Sequence, residues 1–173
     1  MSQTFKFCPR CAAPLQRAVH GGAERLGCTR PDCGYVNWDN PTPVVAAIVE
    51  HDGAIILARN RAWPMKFYGL ITGFLEKDDP SPEDAVRREV KEELGLDAAV
   101  ANFVGHYAFQ RMNQIIIAYH VPAAGEIVLG EELVEYKRIE PAKARYWPAG
   151  TGHALRDWLR GRGFDPQPME LPR

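Results

Sequence analysis

The 173-residue chain has almost no excess of charge of either sign: 21 Lys and Arg stand against 22 Asp and Glu, a net charge of −1. A general binder of nucleic acid or of an anionic membrane surface needs a basic face, and this balance does not supply one, so neither partner is expected. Long hydrophobic runs are also missing. None approaches the ~20 apolar residues of a membrane span, and Met1-Ser2-Gln3-Thr4-Phe5-Lys6-Phe7-Cys8 holds no apolar leader segment, which makes a cytoplasmic location the expectation. No internal repeat is visible. Cysteine is scarce, with four residues that all fall within the first 33 positions, so the rest of the chain has no disulfide to lean on.

Those four form two pairs, Cys8-Pro9-Arg10-Cys11 and Cys28-Thr29-Arg30-Pro31-Asp32-Cys33. The spacing is that of a structural four-cysteine zinc site built on two knuckles. Two disulfides are the alternative, disfavoured in a reducing compartment. A redox Cys-x-x-Cys needs a strand–helix context that neither pair has. Two details depart from the commonest ribbon, Ala12 after the second cysteine and a second knuckle longer by two residues. Residues 1–40 are too few to fold by apolar burial alone, so this segment is expected to depend on zinc.

The most ordered local signal is Arg88-Glu89-Val90-Lys91-Glu92-Glu93-Leu94-Gly95-Leu96. As a helix it brings Glu89, Glu92 and Glu93 to one face, while Val86, Val90 and Leu94 form an apolar stripe. Ser81 with Asp84 suits the N-cap, Pro82 the first helical position, and Gly95 the C-terminal stop. Three carboxylates on one patch repel one another unless a cation neutralises them. Oxygen ligands that leave room for water and phosphate describe a Mg²⁺ or Mn²⁺ site. The bland alternative is a solvated acidic face offset by Arg87, Arg88 and Lys91.

Around this helix the pattern predicts strands over 44–50, 54–59, 67–72, 98–110, 112–121 and 133–139, one helical turn at 141–144 and a closing helix over 152–160. The turn-rich Trp38-Asp39-Asn40-Pro41-Thr42-Pro43 marks a junction. The expected organisation is a ribbon at 1–40, a main domain at 41–162 and an irregular tail at 163–173, with an α+β fold class.

Gly73-Phe74-Leu75-Glu76, the Ser81-capped helix and residues 88–96 together resemble the Nudix box, the signature of the Nudix hydrolases: Gly, five residues, Glu, seven residues, then Arg-Glu-apolar-x-Glu-Glu-x-Gly-apolar. The second half matches at every fixed position. In the first half, counting from Gly73 reaches Asp79 in place of Glu, and eight residues separate it from Arg88. A four-cysteine ribbon, a short junction and such a domain are similar to NADH pyrophosphatases and to FAD and ADP-ribose pyrophosphatases. The resemblance implies an α/β/α sandwich around a mixed sheet, and Mg²⁺ or Mn²⁺ held by Glu89, Glu92, Glu93 and the Gly73 carbonyl. Glu132 aligns with a further acidic ligand, with Glu131 and Glu135 as alternatives. It also implies that Arg88 orients the carboxylates, that Phe74 stacks on adenine, and that Trp38 is a junction aromatic supplied by a partner subunit in a homodimer. Glu76 holds metal or substrate. Arg111 either meets the pyrophosphate or is an ordinary turn arginine. The Ser-Gln-Pro-Trp-Pro-Phe-Pro stretch of NADH pyrophosphatases is missing, which places FAD or ADP-ribose ahead of NADH. The expected reaction is cleavage of an X-ADP dinucleotide to AMP and X-phosphate. The alternative is a catalytically impaired nucleotide sensor, for which the longer loop at Asp78-Asp79-Pro80 is the argument.

Overall fold

The computed structural model describes residues 5–170, and the chain divides into two compact units, one ending at Pro41 and one beginning at Thr42. In the first, β1 (Leu15–His20) and β2 (Ala23–Cys28) form a hairpin to which β3 (Val36–Asn37) adds an antiparallel strand. His20 pairs with Ala23 across a two-residue Gly21-Gly22 turn in which both residues have positive φ, the turn geometry that matches strand twist. Among the described residues of this unit Cys8 is the only fully buried apolar side chain.

The second unit is built on β4 (Thr42–His51), β5 (Ala54–Asn60), β6 (Ile71–Phe74), α1 (Pro82–Leu94), β7 (Asn102–Phe109), β8 (Gln114–Pro122), β9 (Leu133–Ile139) and α2 (Thr151–Gly161). The sheet order is β7-β8-β4-β5-β9, with β6 also on β4. β4 and β8 are parallel and the other pairs antiparallel, so the sheet is mixed. Residues 45–49 of β4 are fully buried on both faces, which explains a continuous apolar run where a half-exposed strand would alternate. On one face Val86, Val90 and Leu94 of α1 pack with Val45, Ala47, Val49 and Ile56. On the other, Leu155, Trp158 and Leu159 of α2 pack with Ile48, Ile55 and Leu57. This is the expected α/β/α sandwich. Among the described residues no helix is long and apolar enough to cross a membrane.

α1 ends where its punctuation predicts. Ser81 Oγ accepts from the Asp84 N–H at 3.1 Å, Pro82 opens the helix, and Gly95, at φ +71°, donates its N–H to Lys91 O at 2.9 Å. The placement of α1 over the sheet comes from a fork between β4 and β5. These strands pair only over 49–51 and 54–56; residues 44–47 of β4 take β6 instead, and Gly69 bridges to Ala58 of β5. The segment 69–74 therefore wedges the fork open and delivers Gly73 and Phe74 to the middle of α1, beside Arg88 and Glu89.

Some expected boundaries differ. The strand predicted over 67–72 is observed over 71–74, because Phe67 packs on Trp63 and Trp147 and Gly69 is held by β5, leaving only the last residues free to pair with β4. The strands predicted over 98–110 and 112–121 are joined by a 3-10 turn at Gln110–Met112, closed by Asn113 at φ +50°. Residues 163–170 hold no regular element and are bound to the larger unit. The Met169 N–H donates to Tyr146 O at 2.7 Å, Pro166 is buried, Pro168 bridges to Tyr146, and Phe164 and Met169 pack on the α2 side of the core. Residues 171–173 lie outside the described residues.

Candidate active site and metal centres

At the mouth of the fork lies a cleft of about 680 Å³. One wall is the exposed face of α1. Arg88 is its organiser: Nε and Nη2 donate to the two Asp79 carboxylate oxygens at 3.0 and 3.1 Å, Nη1 to Glu89 Oε1 at 2.8 Å and Glu92 Oε2 at 3.0 Å, and Nη2 to the Phe74 carbonyl at 3.2 Å. The planar guanidinium fork makes this two-sided clamp; a lysine has no equivalent geometry. Asp79 also accepts from the Glu76 N–H at 2.8 Å, and these partners hold its carboxyl below the usual range. The extra loop residue thus brings a shorter acid into contact with Arg88.

Glu89 lies against the backbone of Gly73, where a Cβ would fall 1.9 Å from the Glu89 carboxyl carbon. Only glycine leaves room for that carboxylate. Glu92 is exposed, whereas Glu93 is buried at 8% exposure. Burial, then the charges of Glu89, Glu132 and Glu92, push the Glu93 carboxyl up to about 8, and burial raises Glu89 as well. Glu132 arrives from the loop before β9. That loop is docked on the end of α1: Val128 N–H donates to Leu94 O and Gly130 N–H to Glu93 O, both at 2.9 Å, and a Cβ at Gly130 would lie 2.4 Å from Glu92 O. Asn60 Nδ2 donates to Glu132 Oε2 at 3.2 Å. Of the three acids left open by the sequence, Glu132 lines the cleft, and Glu135 is engaged by Arg59 at 2.7 Å.

The cleft collects Gly73, Phe74, Glu76, Arg88, Glu89, Glu92, Glu93, Arg111 and Glu132. Trp38 belongs to the other unit, where the Arg25 guanidinium covers its ring at 4.9 Å and the ring stays half exposed. The sequence placed Asp79 at the box position of the first Glu but not its contact to Arg88, and it did not reach the structural partner Asn60 or the aromatic residues Trp63, Phe67, Phe109 and Trp147 along the cleft. The Trp63-Pro64 pair within a loop was the one visible signal for the last group.

The donor sets of both units suit cations. In the first unit, the four cysteine sulfurs all lie within 4.8 Å of one another, with Cys8 and Cys33 at 3.6 Å and Cys11 and Cys28 at 3.5 Å. Tetrahedral zinc with ~2.3 Å bonds sets sulfurs about 3.8 Å apart, while a disulfide needs ~2.05 Å. The Arg10 and Arg30 N–H groups donate to Cys8 and Cys28 sulfur at 3.4 Å, as zinc knuckles do. A backbone hydrogen bond at Ala13 lowers Cys11 to about 7, whereas burial and the neighbouring thiols push Cys28 up to about 12. Four thiolates therefore need a cation to coexist. In the second unit the carboxylates likewise raise one another's proton affinity, the behaviour of a hard-cation site, although no three of them come as close together as the four sulfurs.

A family model for the NUDIX domain matches residues 40–160. The NAD-capped RNA hydrolase NudC of Stutzerimonas stutzeri is 27% identical over 134 residues, 77% of this chain and 47% of that protein. NudC of Pseudomonas aeruginosa is 29% identical over 132 residues, 75% of this chain and 45% of that one. The chain thus spans about half the length of these curated relatives. Among solved structures, a NUDIX hydrolase from Nitrosomonas europaea superposes with a TM-score of 0.76 at 19% identity, covering 94% of this chain and 96% of its own. An ADP-ribose pyrophosphatase from Streptococcus suis gives 0.58 at 19% identity, over 75% of this chain and all of its own. At such identity these two speak for the fold alone.

Proposed function

The chain belongs to the Nudix family, and from that premise we propose that it hydrolyses a nucleotide pyrophosphate of the X-ADP type to AMP and X-phosphate. The observation that carries the reading is the convergence of Glu89, Glu92, Glu93 and Glu132 on one cleft beside Gly73, with the Glu93 carboxyl pushed up to about 8. These carboxylates and the Gly73 carbonyl would hold a divalent cation, which would neutralise the pyrophosphate charge and activate a water. The remaining work belongs to the side chains. Arg88 keeps Glu89 and Glu92 at fixed angles through its hydrogen bonds, so little reorganisation is needed when substrate arrives. Arg111, exposed on the 3-10 turn at the cleft, draws in the pyrophosphate charge. Phe74, exposed beside Gly73, stacks on a base, and Glu76 contacts metal or substrate from the same edge. Trp38 is a second stacking residue in this reading, supplied within a homodimer. The four-cysteine cluster binds zinc and serves to fold the first unit.

The longer loop at Asp78-Asp79-Pro80, the sequence argument for a silent nucleotide sensor, loses its force once Asp79 is seen to make the two-pronged contact to Arg88. The test is AMP release from FAD, NADH, ADP-ribose, diadenosine polyphosphates and nucleoside triphosphates with Mg²⁺ or Mn²⁺. Glu92→Gln is expected to lower turnover by about three orders of magnitude, the several kcal/mol a metal site contributes, with fold and zinc content unchanged because Glu92 is solvent-exposed. Wild-type turnover in that variant would overturn the metal assignment.

A further inference from the structure

The cleft has two chemically different halves. Arg88 and the carboxylates fill one and account for a pyrophosphate. Trp63, Phe67, Phe109, Met112 and Trp147 line the other, which the phosphate chemistry does not use. There the rings form a connected series. Trp63 and Phe67 have centroids 5.4 Å apart at 49°, and Phe67 meets Trp147 edge-on at 5.1 Å and 87°. Trp147 is buried and roots the series, while Trp63 at its other end is half-buried. Gly69 permits this seating: a Cβ there would lie 2.9 Å from Trp63 Cη2 and 3.3 Å from Phe67 Cε1. The indole therefore rests on the backbone where Gly69 bridges to Ala58, held before any ligand arrives. An indole face held in advance by its neighbours costs little entropy on binding and suits a planar heteroaromatic ring; a bare ribose, polar around its rim, gains little from it.

Phe74 is a second and separate aromatic surface, 58% exposed at the carboxylate end. Five residue steps of nearly extended chain separate it from Gly69, at most roughly 16 Å at ~3.3 Å per step. A pyrophosphate-linked dinucleotide in an extended form spans such a distance between its rings. We infer that the cleft takes a dinucleotide with a flat heteroaromatic ring on each half, and that Trp63 is a specificity-determining residue that stacks on the ring farther from Phe74. This rests on the pyrophosphatase reading above and sharpens it, because it sets FAD-like and NAD-like substrates apart from ADP-ribose, whose second half carries no such ring.

The test compares kcat/KM for FAD, NADH and ADP-ribose in the full chain, wild type against Trp63→Ala and Trp63→Phe. Stacking on one ring corresponds to about tenfold, so Trp63→Ala is expected to lower kcat/KM for FAD or NADH about tenfold more than for ADP-ribose, chiefly through KM, with most of the difference recovered in Trp63→Phe. Whichever of the two loses more identifies the ring as isoalloxazine or nicotinamide. Equal losses on all three substrates, or a wild-type preference for ADP-ribose, would overturn the inference. If the wild type cleaves none of them, it is the activity reading that fails, and titration calorimetry with FMN, NMN, AMP and ribose 5-phosphate then decides the stacking. Trp63→Ala weakening FMN or NMN about tenfold supports the inference; weakening AMP instead, or none of the four, overturns it.

Discussion

The two units of this chain use acidic ligands to opposite ends. In the ribbon, the sulfurs of Cys8, Cys11, Cys28 and Cys33 stand in for a hydrophobic core, since among its described residues no other apolar side chain is fully buried. In the larger unit the core comes first: Val45, Ile48, Ile56, Val86, Leu94 and Leu155 are all inaccessible, and the carboxylates are displayed on a helix already fixed by packing. On the proposed reading, a cation is a folding element in one unit and a reagent in the other. Structural zinc is worth on the order of 10 kcal/mol to a small domain, more than a unit of this size gains from apolar burial.

The largest expected effect follows from that contrast. Zinc removal by a chelator, or Cys11→Ser, is expected to abolish amide hydrogen-exchange protection in β1 and β2 while β4, β8 and α1 keep theirs; protection surviving in both units would break the comparison. On the catalytic side, Gly73→Ala forces the Glu89 carboxylate away from its seat. A displacement of about 1 Å at a reacting centre costs roughly 10²-fold, so kcat should fall by that order while the thermal midpoint of the larger unit stays near wild type.

Asp79→Asn comes next. It removes the charge-assisted pair to Arg88 but leaves the loop in place, and a hydrogen bond to a charged group is worth about 1.5–3 kcal/mol, so a drop of roughly 10- to 100-fold in kcat/KM is expected. The same pair has an acid signature. Asp79 is held below its ordinary value of 3.8, so its contribution is fully present above that pH and is lost as pH falls through the lower folded value. Thermal midpoints measured between pH 5 and 2 should show this acid-linked loss in the wild type and less of it in the variant. The smallest effect returns to the ribbon. Ala12 sits in the left-handed region at φ +58°, the conformation that Gly34 adopts after the second knuckle at φ +64°. Ala12→Gly relieves a cost of about 1 kcal/mol and should raise the chelator concentration needed to unfold the ribbon.

What could be read from the sequence was local. Ser81 and Gly95 bound α1 through hydrogen bonds that span at most four residues, Pro82 suits its first position by its fixed φ, and the i, i+3, i+4 spacing places Glu89, Glu92 and Glu93 together whatever lies around them. The two cysteine pairs announce a four-sulfur cluster for the same reason. Other features depended on contacts between residues distant in sequence. The strand start at Ile71, not Phe67, follows from Trp147 and Ala58 competing for the segment before it. The place of Glu132 follows from Gly130 meeting the Glu92 carbonyl, and the role of Asp79 from how far a loop with one added residue can reach toward Arg88. Burial of Glu93, and with it the raised proton affinity, required the sheet beneath α1. Short-range hydrogen bonds and helical periodicity are properties of the sequence itself, whereas desolvation and the approach of side chains from separate strands exist only once the layers have packed.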